Sequence, residues 1–225
     1  MTARALDEVL ADAPGLRVRR RVGAGSPVVT GITLDSRSVG PGSLFCCVRG
    51  ERIDGHRFGP AAVTAGAVAL LVEHELDVDV PQLVVDDVRA ATGPLAAAVH
   101  GHPSRQLVLV GVTGTNGKTT TAHLLAHVLE SNGWPCGVIG TLTGPRTTPE
   151  APDLQAQLAA FAAEGRRAVV MEVSSHALAL HGKKCSRVTR SCPRANMHGR
   201  RILCAVTLPY ANNTSNWVLP ISFLF

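Results

Sequence analysis

The run Leu107-Val108-Leu109-Val110 leads directly into Gly111-Val112-Thr113-Gly114-Thr115-Asn116-Gly117-Lys118-Thr119-Thr120, and a helical pattern follows over residues 119–130 before Asn132-Gly133. A continuous apolar run is what a strand buried on both faces requires. Strand, glycine-rich turn, Lys-Thr and helix together form a phosphate cradle, because glycines let backbone N–H groups converge and the helix adds its positive N-terminal end. In such a cradle Lys118 faces the β and γ phosphates and the Thr119 hydroxyl reaches Mg²⁺. The strict G-x-x-x-x-G-K-[ST] spacing is not met, since Val112 stands five residues before Gly117. A glycine-rich turn that precedes a lysine by chance is the plain alternative, and the flanking strand and helix argue against it.

Upstream, apolar periodicity predicts a short helix over 5–10, strands over 28–34 and 44–48, a helix over 61–67, strands over 68–72 and 83–85, and an Ala-rich helix over 88–100. Downstream it predicts a strand over 138–139, a helix over 153–164 with Asp153 as N-cap, and a strand over 168–173. Strands alternating with helices indicate an α/β chain with mainly parallel sheets. Gly101-His102-Pro103-Ser104 is the linker candidate, dividing a small N-terminal α/β domain (1–103) from a P-loop mononucleotide-binding α/β domain (104–181).

Charge marks a further boundary. The 225 residues hold 22 Lys and Arg against 17 Asp and Glu, a net of +5. Residues 182–225 carry seven of those bases and no acid, which leaves residues 1–181 with 15 bases against all 17 acids. The basic tail also holds half of the cysteines and half of the aromatics. An extension, a joined foreign segment or a shifted reading frame would each produce such a junction, and the tail is left unassigned. Basic charge without a nucleic-acid fold signature does not point to nucleic acid as partner. In the tail, Cys185, Cys192, His198 and Cys204 lack the spacing of a compact zinc site. Six cysteines without a CxxC pair fit reduced thiols, and the acids near the N-terminus do not fit a signal peptide, so a cytoplasmic protein is expected. No run reaches the roughly 20 apolar residues of a membrane helix.

Three strings carry a resemblance. Residues 111–121 are similar to the ATP loop of the Mur ligases, ATP-dependent amide-forming enzymes of peptidoglycan precursor synthesis. Met171-Glu172-Val173-Ser174-Ser175-His176-Ala177-Leu178 resembles the central-domain signature of the members that extend UDP-N-acetylmuramoyl-L-alanyl-D-glutamate. Leu34-Asp35-Ser36-Arg37, with Gly42-Ser43-Leu44-Phe45 and Asp54-Gly55-His56, resembles their UDP-binding domain.

The resemblance covers residues 1–181 and implies roles. ATP would be held by Gly114, Thr115, Asn116, Gly117, Lys118, Thr119 and Thr120, with Lys118 as the catalytic cation. Mg²⁺ would lie on Thr119 and Glu172, one carboxylate beside phosphate oxygens being chemically apt. Leu34, Ser36, Glu51, Arg52 and Ile53 would hold the uridine diphosphate; Thr147, Thr148 and Ser174 would hold the muramoyl dipeptide. The substrates would be UDP-N-acetylmuramoyl-dipeptide and an amino acid, diaminopimelate or lysine, handled by a monomer. Further family motifs after His181 are not found here, and Gly182 stands where a substrate-binding Arg is expected. The chain is therefore expected to be incomplete for catalysis; the alternatives are a non-catalytic nucleotide or UDP-sugar binder, or another member of the Mur ligase family.

Overall fold

A computed structural model describes residues 3–13, 15–50 and 53–174, together with the backbone of 203–208. The contacts divide it into two compact units: Met1–Ser104 joined by Pro149–Ala160, and Arg105–Thr148 together with the described residues from Phe161 onward.

In the first unit the elements are β1 (Arg4–Ala5), α1 (Leu6–Ala11), β2 (Arg20–Val22), β3 (Val28–Val29), β4 (Gly31–Thr33), β5 (Ser43–Cys46), α2 (Gly59–Thr64), β6 (Ala67–Val72), β7 (Gln82–Val84) and α3 (Val88–Val99). A five-stranded sheet runs β2-β7-β6-β5-β4. The β4, β5, β6 and β7 neighbours pair in parallel, and β2 closes the edge antiparallel to β7. Side chains alternate faces along a strand, and both faces here are covered. Leu44 and Cys46 of β5 and Ala69 and Leu71 of β6 join the core beneath α1 and α3. Phe45, Leu70 and Val72 join Ala62 of α2 in a second core. Two buried faces explain why β5 and β6 read as unbroken apolar runs.

The single strand expected over 28–34 is two. β3 pairs with β1 and β4 with β5, with Thr30 between them. The Thr30 N–H leaves the ladder to donate to the Gly42 carbonyl at 2.9 Å. The Arg-rich β2, with its exposed first residue, carried no periodicity by which sequence alone would find it.

In the second unit, β8 (Val108–Gly114), α4 (Lys118–Ser131), β9 (Cys136–Ile139), β10 (Ala168–Glu172) and β11 (Leu203–Leu208) follow in order, while α5 (Ala151–Ala163), between β9 and β10 in the chain, belongs to the first unit as far as Ala160. The sheet is β11-β8-β10-β9 and wholly parallel. Val112 of β8, Ala122 and Ala126 of α4, and Ala168 and Val170 of β10 form its core. Asp153 lies inside the first turn of α5 rather than at its cap, because the helix already starts at Ala151 with Pro152 in the first turn, where a missing N–H costs nothing. The tail contributes backbone pairing, Leu203 opposite Val110 and Leu208 opposite Gly114. Of the nominal zinc set, only the backbone of Cys204 falls within the described residues.

Candidate nucleotide and metal site

Parallel strands bring their C-terminal ends to one edge, and ligands gather there. β8 ends at Gly114, the loop crosses exposed Thr115 and Asn116, and Gly117 turns the chain into α4 with φ +77°. That left-handed conformation favours glycine. Gly117 caps α4 with no side chain, so the N–H groups of Lys118, Thr119 and Thr120 begin a 14-residue helix without an internal acceptor. They are donors for anionic oxygens, reinforced by the helix dipole. Lys118 Nζ arches over the same loop, donating to the carbonyls of Gly114 (2.8 Å) and Thr115 (3.2 Å).

Behind the loop lies Glu172, the last residue of β10, which is 1% exposed. The Thr119 hydroxyl donates to its Oε2 at 2.9 Å. Thr141 donates twice, its N–H to Oε1 at 2.9 Å and its hydroxyl to Oε2 at 3.3 Å. These described partners are all neutral. A buried carboxylate held only by neutral donors is costly unless a cation compensates it. The donor set, one carboxylate oxygen beside one hydroxyl at the mouth of a phosphate cradle, suits a hard ion that takes its other ligands from phosphate and water. Among the described residues no cluster of three or more His, Cys, Asp or Glu side chains could hold a metal.

The remaining expected residues of this unit converge on the same carboxylate. Thr147 Oγ1 lies 3.0 Å from Thr141 Oγ1. The Thr148 hydroxyl donates to the backbone carbonyl of Glu172 at 3.0 Å and accepts from the Ser174 N–H at 3.0 Å. Thr119, Thr147, Thr148, Glu172 and Ser174 thus form one network, and its hub, Thr141, was missed. A Gly-Thr pair directly behind the apolar end of β9 was the available signal.

In the first unit, Leu34 and Ser36 follow β4, and Ile53 follows the adjacent parallel β5 through a loop. Leu34 packs against the core while Ile53 is 52% exposed. The Asp35 carboxylate accepts from the Arg37 backbone N–H at 3.0 Å and holds its guanidinium at 2.9 and 2.7 Å, which fixes the turn at Ser36. Glu51 and Arg52 lie outside the described residues. The loop's base is pinned by buried His56: the Glu73 N–H donates to Nε2 at 2.9 Å, so Nδ1 carries the proton given to Asp54 Oδ1 at 2.6 Å. The His74 ring stacks on His56 at 4.3 Å.

Two family models match the chain, the Mur ligase middle domain over residues 112–190 and the Mur ligase family catalytic domain over residues 28–104. The chain belongs to the Mur ligase family. The UDP-N-acetylmuramoyl-L-alanyl-D-glutamate–2,6-diaminopimelate ligase of Geobacillus thermodenitrificans is 46% identical over 182 residues, covering 77% of this chain and 37% of that protein. A solved structure of a ligase of that name matches with a TM-score of 0.63 and 28% identity, over 80% of this chain and 38% of that one. MurF ligase from Thermotoga maritima in complex with ADP matches with a TM-score of 0.51 and 27% identity, over 65% of this chain and 32% of that one. This Mur ligase chain spans about a third of the length of these relatives. Its middle-domain match continues to residue 190, past the compositional junction at 182.

Proposed function

We propose that these residues load the substrates of an ATP-dependent ligase that joins 2,6-diaminopimelate to UDP-N-acetylmuramoyl-L-alanyl-D-glutamate in peptidoglycan precursor synthesis. The observation that carries the reading is the Thr119–Glu172 pair at the mouth of the loop that Lys118 covers. The names of the relatives support the substrates, including diaminopimelate over lysine, and the ADP complex of a neighbour supports the nucleotide. The ligation is assigned to the whole ligase and the binding steps to this chain, acting as a monomer in the cytoplasm where nucleotide-linked precursors are made.

In this reading residues 1–103 take the UDP end of the precursor through Leu34, Ser36, Glu51, Arg52 and Ile53, and residues 104–181 take ATP. A terminal carboxylate oxygen of the dipeptide attacks the γ-phosphorus, the bond to ADP breaks, and an acyl phosphate forms. The incoming amine then attacks the acyl carbon, losing a proton as phosphate leaves. Little covalent chemistry falls to the protein, so positioning and charge dominate. The Lys118 ammonium moves from its carbonyl contacts to phosphoryl oxygens, and the first N–H groups of α4 hold the same anion. Thr119 and Glu172 would hold Mg²⁺, which when bound offsets the negative charge of the phosphates. Thr147, Thr148 and Ser174 set the dipeptide beside them.

The test is calorimetry of the full chain with ATP and Mg²⁺. Saturable binding is expected, with a loss of at least about tenfold in Lys118→Ala, the scale of an ionic contact to phosphate. Equal affinity in wild type and variant, or no binding to wild type, would contradict the assignment.

A further inference from the structure

The Thr141 hydroxyl has one proton and two oxygens within reach, Glu172 Oε2 at 3.3 Å and Thr147 Oγ1 at 3.0 Å. A hydroxyl donates once and accepts up to twice, so this chain of groups has two arrangements. In one, Thr147 donates to Thr141 and Thr141 donates to Glu172. In the other, Thr141 donates to Thr147, and Thr147 spends its own proton elsewhere. The neighbouring hydroxyl cannot substitute, because Thr148 already gives its proton to the Glu172 carbonyl and accepts from Ser174.

We propose that Thr141 is a positioning residue that couples the muramoyl-peptide site to the metal carboxylate by reversing this hydroxyl relay. The inference rests on the function proposed above and adds a linkage between its two substrates. Carboxylate and carbonyl oxygens of a peptide ligand accept and do not donate. A ligand oxygen on Thr147 therefore takes the Thr147 proton, and Thr147 Oγ1 then accepts from Thr141. Withdrawing the Thr141 hydroxyl frees a lone pair on Glu172 Oε2, the oxygen that also meets Thr119. The Thr141 N–H still holds Oε1, so the carboxylate stays in place while one oxygen becomes available to a cation. Muramoyl peptide thus tightens Mg²⁺·ATP, and by linkage Mg²⁺·ATP tightens the peptide equally.

Calorimetry of the full chain, titrating Mg²⁺·ATP with and without saturating UDP-N-acetylmuramoyl-L-alanyl-D-glutamate, measures the ratio of the two affinities. In wild type the ratio is expected at about tenfold, within the usual range for coupled sites. Thr141→Val brings it to about one whatever happens to either affinity alone, Thr141→Ser restores it, and Thr147→Val abolishes it from the other end. A ratio of one in wild type that binds the muramoyl dipeptide, or an undiminished ratio in Thr141→Val, overturns the relay while leaving the substrate assignment intact; no binding of the dipeptide to wild type overturns both. Failure of wild type to bind Mg²⁺·ATP at all overturns both.

Discussion

Gly140 stands directly against Glu172: a Cβ placed on Gly140 would lie 2.8 Å from both Cγ and Cδ of that side chain. Real Cβ atoms essentially never come that close, and Glu172 is 1% exposed, so its side chain has to shift. Gly140→Ala therefore pushes Glu172 off its contacts with Thr119 and Thr141. The expected cost is about 1–3 kcal/mol of stability, as for other overpacked interiors, with Mg²⁺-dependent ATP affinity falling at least about tenfold. Thermal unfolding and calorimetry on the same samples check both effects.

A second prediction concerns acid. The His56 backbone N–H, and then its ring, hold the Asp54 carboxyl below its ordinary value of 3.8. A carboxylate with a depressed folded pKa contributes stability that is present above the unfolded value and lost as pH falls through the folded one. Wild-type stability is therefore expected to drop below about pH 4 partly through Asp54, and Asp54→Asn to flatten that part of the curve. Urea unfolding between pH 2 and 6 measures the difference.

Cys46 and Cys47 supply a third, at alkaline pH. Burial pushes both thiols up to about 12. Because the folded state keeps protons that the unfolded state releases near 9.0, their contribution is complete below that value and is lost as pH rises toward 12. Each thiol lowers stability by up to about 1.4 kcal/mol per pH unit in that window. At pH 8 neither is expected to react with a thiol reagent until the protein is unfolded, and a time course in native and denaturing buffer reads this directly.

The residues that fold locally were the legible ones. The β8 strand, the Gly117 turn and the α4 helix announce themselves by an apolar run, glycines and helical spacing, all short-range signals. What was not legible depends on distant contacts. Thr141 matters because Glu172, 31 residues further on, ends beside it, and no local pattern marks that meeting. The backbone of Leu203–Leu208 becomes an edge strand through pairing with β8, a partnership that the foreign composition of the tail concealed. His56 looked like part of a motif, and its proton assignment required seeing Glu73 and Asp54 on either side. Asp153 illustrates the opposite error, a cap residue overruled because the helix starts two residues earlier, at Ala151, with Pro152 in its first turn.

Glu172 and Thr119 are proposed to form a metal site that serves a nucleotide in the adjoining loop. Its most direct test is the affinity for ATP as a function of Mg²⁺ concentration, in wild type and in Glu172→Gln, which keeps the shape of the side chain and removes its charge. Wild-type affinity is expected to rise at least about tenfold from metal-free to millimolar Mg²⁺, the scale of one charge-assisted contact, while the variant stays flat. The same Mg²⁺ dependence in Glu172→Gln would contradict the account.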